Sequence, residues 1–177
     1  MIFQETPLAG AYVIDIQRLE DERGFFARTW CQREYAAHGL NPSLAQCSIS
    51  FNKVKGTLRG MHHQLPPYAE AKVVRCTRGA IFDVIIDLRP ESPTYKRHFG
   101  LTLTPESRTM LYVPEGFAHG LLTLEDNTEV LYLISEFYAP DYARGFRWDD
   151  PAFAIQWPAP VQVISERDAS YPDFVEL

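Results

Sequence analysis

The sequence lacks three features that would each point to a particular class of protein. Its three cysteines show no CxxC spacing, so we expect free thiols in a reducing cytoplasm. No apolar run approaches the roughly 20 residues that a membrane-spanning helix needs, and the N-terminus does not resemble a secretion signal. A formal net charge of −6 argues against a nucleic-acid-binding surface. We therefore expect a cytoplasmic protein with neither a membrane nor a nucleic acid as partner.

The sequence also predicts no long uninterrupted helix and contains no linker segment. Thirteen prolines and ten glycines separate short segments rich in Val, Ile, Phe, Tyr and Thr, and no repeat or low-complexity tract divides the chain. This pattern predicts a single all-β domain over residues 1–177, a sandwich or small barrel with few helices.

Individual elements can be predicted from the turn residues. Residues 72–88 predict two strands that meet near Gly79 as a hairpin, and residues 98–138 predict further strands with turns at TPES, PEG and EDN. Residues 31–40 predict a helix that ends at Gly39. The polar tail SERDASYPDF is expected to wrap the surface.

Two of the five histidines are adjacent, in the run RGMHHQ at residues 59–64. The spacing around His62 and His119 resembles the two motifs of the cupin jelly-roll superfamily. A metal-binding cupin carries His-x-His followed by a glutamate, whereas here Gln64 takes the second position and no acid follows at that spacing. Without three good ligands, we expect no metal site.

The histidine pair has two further interpretations. Adjacent strand residues point to opposite faces, so at most one of His62 and His63 enters a barrel mouth, and the pair could simply fill a strand end. The neighbouring side chains favour proton transfer at a carbon beside a carbonyl, which needs a base, cations, a phenol and a carboxylate. The residues that supply these groups are His62, His119, Arg59, Lys72, Tyr132 and Asp168.

Longer motifs run in a fixed order over nearly the whole chain. They are ERGFFARTW (22–30), KGTLRGMHHQ (55–64), AKVVRCTRGAIFDVIIDLR (71–89), LYVPEGFAHG (111–120), EVLYLISEFYAP (129–140) and ISERD (164–168). In these motifs the chain resembles the dTDP-4-dehydrorhamnose 3,5-epimerases. The resemblance implies a cupin-type jelly roll, a homodimer that exchanges N-terminal strands, and catalysis without metal or cofactor. It also implies inversion of C3 and C5 in a nucleotide-linked 4-keto-6-deoxy sugar, as from dTDP-4-dehydro-6-deoxy-D-glucose to dTDP-4-dehydro-L-rhamnose.

The resemblance also implies a role for individual residues. His62 would be the general base and Asp168 its partner, Lys72 would steady the enolate oxygen at C4, and Tyr132 would be the acid on the opposite face. Arg59 would bind pyrophosphate, and Arg23 would reach the ligand from the same or the other subunit. The substrate-binding set that the resemblance implies is Arg23, Phe26, Gln46, Ser48, Arg59, His119 and Tyr138.

The chain departs from the family pattern mainly at the nucleotide end. Arg28 and Ala143 stand where glutamates are frequent, Ser48 replaces an asparagine, and His63 replaces a tyrosine. A C3-only epimerase, an epimerase for another nucleotide, and a non-catalytic cupin sugar-binding protein therefore remain alternatives. Retention of both His62 and Tyr132 argues against the last, because binding alone needs no acid–base pair across a ring.

Overall fold

The computed structural model describes residues 1–176; Leu177, the last residue of the predicted domain, lies outside the described residues. Strands dominate the described chain, and its two helices are short. In chain order, the elements are β1 (Ile2–Glu5), β2 (Tyr12–Asp15), β3 (Arg18–Asp21), β4 (Gly24–Ala27), α1 (Gln32–Ala37), β5 (Gln46–Asn52), β6 (Leu58–Gln64), β7 (Lys72–Arg78), β8 (Ile81–Asp87), β9 (His98–Leu103), β10 (Met110–Val113), β11 (Phe117–Thr123), β12 (Thr128–Ile134), β13 (Ala143–Gly145) and α2 (Glu166–Ala169).

Two antiparallel sheets face each other across one core. The first sheet has the strand order β1-β2-β10-β7-β12-β5, and the second has the order β13-β6-β11-β8-β9. Side chains from both sheets share one buried apolar cluster, which fixes the sheets face to face. The prediction of an all-β jelly roll is confirmed. Members of this inner cluster include Val74, Cys76, Leu111 and Val130 from the first sheet and Ile81, Ile85, Leu103 and Leu121 from the second.

Each sheet also buries part of its outer face, because strand alternation sends every second side chain outward. On the first sheet, Tyr35 of α1 packs with Ile14 and Tyr112. On the second sheet, Phe146 and Phe153 from the C-terminal segment pack with Met61, Val84, Ile86 and Ala118. The N-terminal helix and the C-terminal segment therefore each cover one sheet.

The predicted hairpin over residues 72–88 is wrong. β7 lies in the first sheet between β10 and β12, whereas β8 lies in the second sheet between β11 and β9. The chain crosses between sheets near Gly79, whose φ of +74° and close approach to Thr128 both require glycine. A turn signal marks where a strand ends, but it does not determine whether the next strand joins the same sheet.

Other local predictions are confirmed. α1 ends as expected, with Gly39 at a φ of +70° and its N–H donating to the Ala36 carbonyl. The three predicted turns separate β9, β10, β11 and β12. All three cysteines are free thiols. The tail is more than a surface wrap, because it carries α2 and a buried Asp168.

Within residues 1–176, no helix is both long enough and apolar enough to cross a membrane.

Candidate active site

An irregularity in β6 brings two candidate residues to the same face of the second sheet. His62 pairs with His119 of β11, and Arg59 pairs with Leu121, so three steps along β6 match two steps along β11. Such a bulge adds one residue to a strand, and here it lets both His62 and Arg59 face the space between the sheets. Gly60 lies in the bulge, where a Cβ atom would be 2.6 Å from the Cα of Gly120. Only glycine fits there.

His62 is held by the carboxylate of Asp168. Its Nε2 lies 2.7 Å from Oδ1 of Asp168, and the other carboxylate oxygen accepts from the Gly60 N–H at 3.2 Å. Ser165 caps α2 by accepting from the Asp168 N–H at 3.1 Å, which fixes the helix that carries the acid. The imidazole is 41% exposed, whereas the carboxylate is buried. The base is therefore anchored at one nitrogen and open to a ligand at the other.

The charge of Asp168 determines which nitrogen of His62 can act as a base. Burial alone would raise the pKa of Asp168, but the hydrogen bonds from His62, Gly60 and Ser165 outweigh it and lower the pKa. An ionised carboxylate only accepts, so Nε2 of His62 carries the proton. The lone pair of a neutral His62 is then on Nδ1, free to remove a proton from a ligand.

Lys72 opens β7 beside this base. Its ammonium is 2.7 Å from the carboxylate of Glu70, and a cavity of about 210 Å³ is lined by both side chains together with His62. Gln46 and Tyr138 line the same cavity, and the Gln46 side-chain oxygen accepts from the Tyr138 N–H at 2.9 Å. Four predicted residues from distant parts of the sequence thus share one cavity.

Two arginines that the sequence reasoning missed also line this cavity. Arg144 follows the first residue of β13, and Arg167 lies on α2 with its guanidinium 2.7 Å from the Tyr171 hydroxyl and 3.4 Å from the Tyr138 hydroxyl. Together they supply local positive charge in a chain of net charge −6. An anionic ligand needs such a cluster to overcome the overall field.

Tyr132 lies on β12 of the sheet opposite His62, and it is not among the residues that line the cavity. Its hydroxyl lies 3.2 Å from the Ser50 hydroxyl, and its ring packs against the inner core. Burial raises the pKa of Tyr132 to about 12, although the bond to Ser50 acts in the other direction. The phenol therefore keeps its proton at neutral pH and can serve as an acid.

His119 forms a second histidine–carboxylate pair, and its partner was not predicted. Nε2 of His119 lies 2.7 Å from Oδ1 of Asp83, and both side chains are buried. The other oxygen of Asp83 has no hydrogen-bond partner among the described residues. The rings of His119 and Tyr132 are 6.2 Å apart, so this pair lies next to the phenol. The sequence signals for Asp83 were its place in the motif of residues 71–89 and in a strand that is apolar apart from Asp83 and Asp87.

Arg59 lies on β6 of the second sheet, and Ser48 lies on β5, an edge strand of the first sheet. Nε of Arg59 donates to the Asn52 side-chain oxygen at 2.7 Å, which ties β6 to β5. Ser48 pairs directly with Tyr132 across β5 and β12, and its side chain is exposed. Asn52 was not predicted, because its role depends on a pairing that the sequence does not reveal.

Arg23 and Phe26 do not reach the cavity within their own chain. They belong to the β3–β4 hairpin, a separate two-stranded sheet with exposed side chains. Arg23 pairs with Asp21 at 2.6 Å and is 85% exposed, and Phe26 is 68% exposed. Neither residue is among those that line the cavity of its own chain.

The departures at positions 28 and 143 lie in different surroundings. Arg28 donates to Glu34 of α1 at 2.9 Å. Ala143 lines the cavity beside Lys72, where its methyl group offers no hydrogen bond. Arg28 therefore belongs to an intramolecular ion pair, whereas Ala143 alters the cavity itself.

The side chains that a metal-binding cupin would use are occupied otherwise. Gln64 donates to the carbonyls of Tyr68 and Phe137 and accepts from the Ala139 N–H. Among residues 1–176, no group of three or more His, Cys, Asp and Glu side chains could hold a metal ion. The absence of a metal requirement stays a prediction.

Comparisons with known proteins agree with this arrangement. The family model described as dTDP-4-dehydrorhamnose 3,5-epimerase matches residues 5–176. A relative of that name from Sinorhizobium fredii is 40% identical over 178 residues, covering 100% of this chain and 91% of the relative. A crystal structure of the Bacillus anthracis dTDP-4-dehydrorhamnose 3,5-epimerase with TDP and PPi bound has a TM-score of 0.92 at 36% identity, covering 98% of this chain and 99% of that one.

A third similar protein differs in its reaction. The structure of a 3'-monoepimerase from Streptomyces bikiniensis in complex with dTDP-quinovose has a TM-score of 0.85 at 30% identity, covering 95% of this chain and 85% of that one. The match of the family model over nearly the whole chain settles the relationship: the chain belongs to the dTDP-4-dehydrorhamnose 3,5-epimerase family.

Proposed function

We propose that this protein is a cofactor-independent epimerase that inverts C3 and C5 of a dTDP-linked 4-keto-6-deoxy sugar, converting dTDP-4-dehydro-6-deoxy-D-glucose to dTDP-4-dehydro-L-rhamnose. The observation that carries the proposal is the placement of His62 and Tyr132 on opposing sheets, one a base and the other a protonated acid. Inversion needs a proton removed from one face of a carbon and returned to the other. A sugar bound between the sheets would meet both groups.

The first step removes a proton beside the C4 ketone. Nδ1 of His62 accepts the proton from C3 or C5, and the Asp168 carboxylate stabilises the imidazolium that forms. The electron pair of the broken C–H bond moves into the C3–C4 or C4–C5 bond, and the C4 oxygen becomes an enolate oxygen. The Lys72 ammonium stabilises that oxygen by donating to it.

The second step returns a proton to the opposite face. The Tyr132 hydroxyl gives its proton to the carbanion carbon, the enolate collapses to the ketone, and the configuration is inverted. Ser50, 3.2 Å away, can donate to the phenolate that forms. Exchange of protons with water then restores His62 and Tyr132.

A C3-only epimerase is the second candidate. It is favoured by the similarity to the 3'-monoepimerase. The same base and acid would serve either outcome, so the difference lies in how the sugar ring is seated.

Incubation with dTDP-4-dehydro-6-deoxy-D-glucose in deuterium oxide tests the proposal. We expect deuterium at both C3 and C5, with inverted configuration at each by NMR. Exchange at C3 alone would identify a monoepimerase. Binding of the substrate without any exchange would identify a non-catalytic sugar-binding protein and overturn the proposal.

We also propose a homodimer that exchanges N-terminal strands. β5 is an edge of the first sheet, and it exposes Ile49, while the β3–β4 hairpin exposes Leu19 and Phe26. Exposed apolar side chains of this size favour burial against a second copy. Such a dimer would carry Arg23 and Phe26 of one subunit to the cavity of the other.

A mixture of inactive Arg23→Ala and His62→Ala proteins should then regain activity in heterodimers, and light scattering should give twice the chain mass.

A further inference from the structure

Glu70 has no part in the mechanism above, yet it is the ion-pair partner of Lys72. Its carboxylate oxygen lies 2.7 Å from the Lys72 ammonium, and the side chains are 10% and 13% exposed. Because this ion pair is largely screened from water, the strength of its interaction depends on its geometry more than the strength of an exposed ion pair does. The pair lines the same cavity as His62.

Strand alternation explains why the two side chains meet. Glu70 and Lys72 flank Ala71, which points the other way and is buried in the cluster of α1 and the first sheet. Residues two apart on an extended chain share a face, so Glu70 and Lys72 both face the cavity.

The backbone around Glu70 is fixed on both sides. The Ala71 N–H donates to the Ser135 hydroxyl at 2.8 Å, and the Ala71 carbonyl accepts from the Ser135 N–H at 3.0 Å. On the other side, the Tyr68 carbonyl accepts from Gln64 at 2.8 Å. The carboxylate of Glu70 therefore projects from a short segment that is clamped to β6 and to the residue after β12.

A lysine needs such an anchor when its charge must be placed at one point. The ammonium ends a flexible four-carbon chain and has three donors of equivalent strength. Bonding one donor to Glu70 restricts the rotamers of the side chain and leaves two donors for a ligand oxygen. A displacement of about 1 Å at a reacting centre can cost on the order of 100-fold in rate.

We propose, on the basis of the function proposed above, that Glu70 is a positioning residue that holds the Lys72 ammonium at the place where the enolate oxygen forms. Glu70 does not touch the reacting carbons. Its effect passes through Lys72, so it acts on the rate of enolisation more than on substrate binding.

The test compares the variants Glu70→Gln and Glu70→Asp with wild type in the deuterium exchange assay. Glu70→Gln keeps the size but removes the charge, and we expect kcat to fall about 10- to 100-fold while KM changes less than about threefold. Glu70→Asp keeps the charge on a shorter stem and should recover kcat to within about tenfold of wild type. Glu125→Gln is the control, since it removes the same charge from an exposed turn at the far end of β12.

A second readout does not depend on turnover. Reductive methylation of the ligand-free proteins, followed by peptide mass mapping, measures how freely each lysine amine reacts. Relative to the exposed Lys55, Lys72 should react several times faster in Glu70→Gln than in wild type or in Glu125→Gln. Thermal melting of each variant shows whether it is folded.

The outcomes separate this inference from the proposed function. Wild type without exchange activity would overturn the proposed function, while the methylation result would still report whether Glu70 anchors Lys72. An active wild type with an unchanged or raised kcat in folded Glu70→Gln, or an unchanged Lys72 reactivity, would overturn the positioning role. A rise in KM with constant kcat would also overturn it, because that change indicates a role in binding.

Discussion

His62 and His63 are neighbours in the chain, but their imidazoles lie on opposite faces of β6. His62 bonds to the Asp168 carboxylate, and both histidines are among the residues that line the cavity. His63 packs near Phe146, 6.2 Å between ring centres, on the side covered by the C-terminal segment, and its Nδ1 is buried without a hydrogen-bond partner. Burial, assisted by the nearby charges of Lys72 and Arg144, lowers the pKa of His63 to about 4.

This difference shows that the chemistry of a histidine is set by what the fold places around it. The same side chain becomes a base where a carboxylate holds one nitrogen and a cavity opens at the other. It stays neutral near pH 7 where it is buried beside Phe146 and no carboxylate within residues 1–176 pairs with it. Alternation along the strand gives the two rings different neighbours, and of the two only His62 contacts the Asp168 carboxylate.

Removing each histidine in turn should give the largest contrast. His62→Ala is expected to lower deuterium incorporation at C3 and C5 by about 10²- to 10⁴-fold, the usual contribution of a general base. His63→Phe, which suits the aromatic surroundings, should stay within about threefold of wild type. NMR exchange rates measure both. Comparable losses in the two variants would mean that the two faces are not functionally distinct.

Tyr132→Phe should sharpen the comparison by removing the acid from the opposite sheet. His62 could still remove a proton and return it to its own face, so deuterium would enter with retained configuration. Inversion should fall by about 100-fold or more, while exchange persists. NMR of the recovered sugar distinguishes the two results. Normal inversion in this variant would transfer the acid role to another group.

His63 should affect stability in acid. Its folded pKa is about 4 and that of an unfolded histidine is about 6.5, so the unfolded chain binds an extra proton between these values. The contribution of His63 to the free energy of unfolding is therefore lost as the pH falls from about 6.5 to about 4. The loss is on the order of 3 kcal/mol.

Urea unfolding of wild type and His63→Phe at several pH values would measure this contribution. The stability of the variant should fall less steeply than that of wild type over the same pH range. Parallel curves would show that His63 does not carry the acid sensitivity.

Chelation should have the smallest effect. Gln64 is committed to three backbone groups, so the inner face of β6 offers one histidine and no second metal ligand beside it. Prolonged dialysis against a chelator is expected to leave the exchange rate unchanged. Activity that is lost and then restored by one divalent ion would revive the metal-dependent alternative.

Sequence motifs identified residues that have a chemical role of their own. They did not identify residues whose role depends on a contact that forms only in the fold. His62, Lys72 and Tyr132 each lie in a long motif, and the structure brings His62 and Lys72 to one cavity and Tyr132 to the facing sheet. Asp83 lies in the motif of residues 71–89 and was still missed, as was Glu70, because their importance comes from contacts with His119 and Lys72.

The error in the fold has the same origin. The strand ends on both sides of Gly79 were predicted correctly, but the partners of β7 and β8 were not. The pairing of β7 and β8 is determined by contacts with distant segments, and the turn residues near Gly79 alone did not determine it.

The distance in sequence between His62 and Asp168 has a consequence for how the site is assembled. The two residues are 106 positions apart, and the acid arrives on α2, after every strand of both sheets. The Leu58 N–H donates to the Val163 carbonyl at 2.8 Å, so the segment that leads into α2 closes onto the start of β6. A chain whose strands were paired but whose α2 had not docked would therefore leave His62 without its carboxylate. Competence of the base reports the docking of the segment that follows β13, and not the formation of the sheets alone.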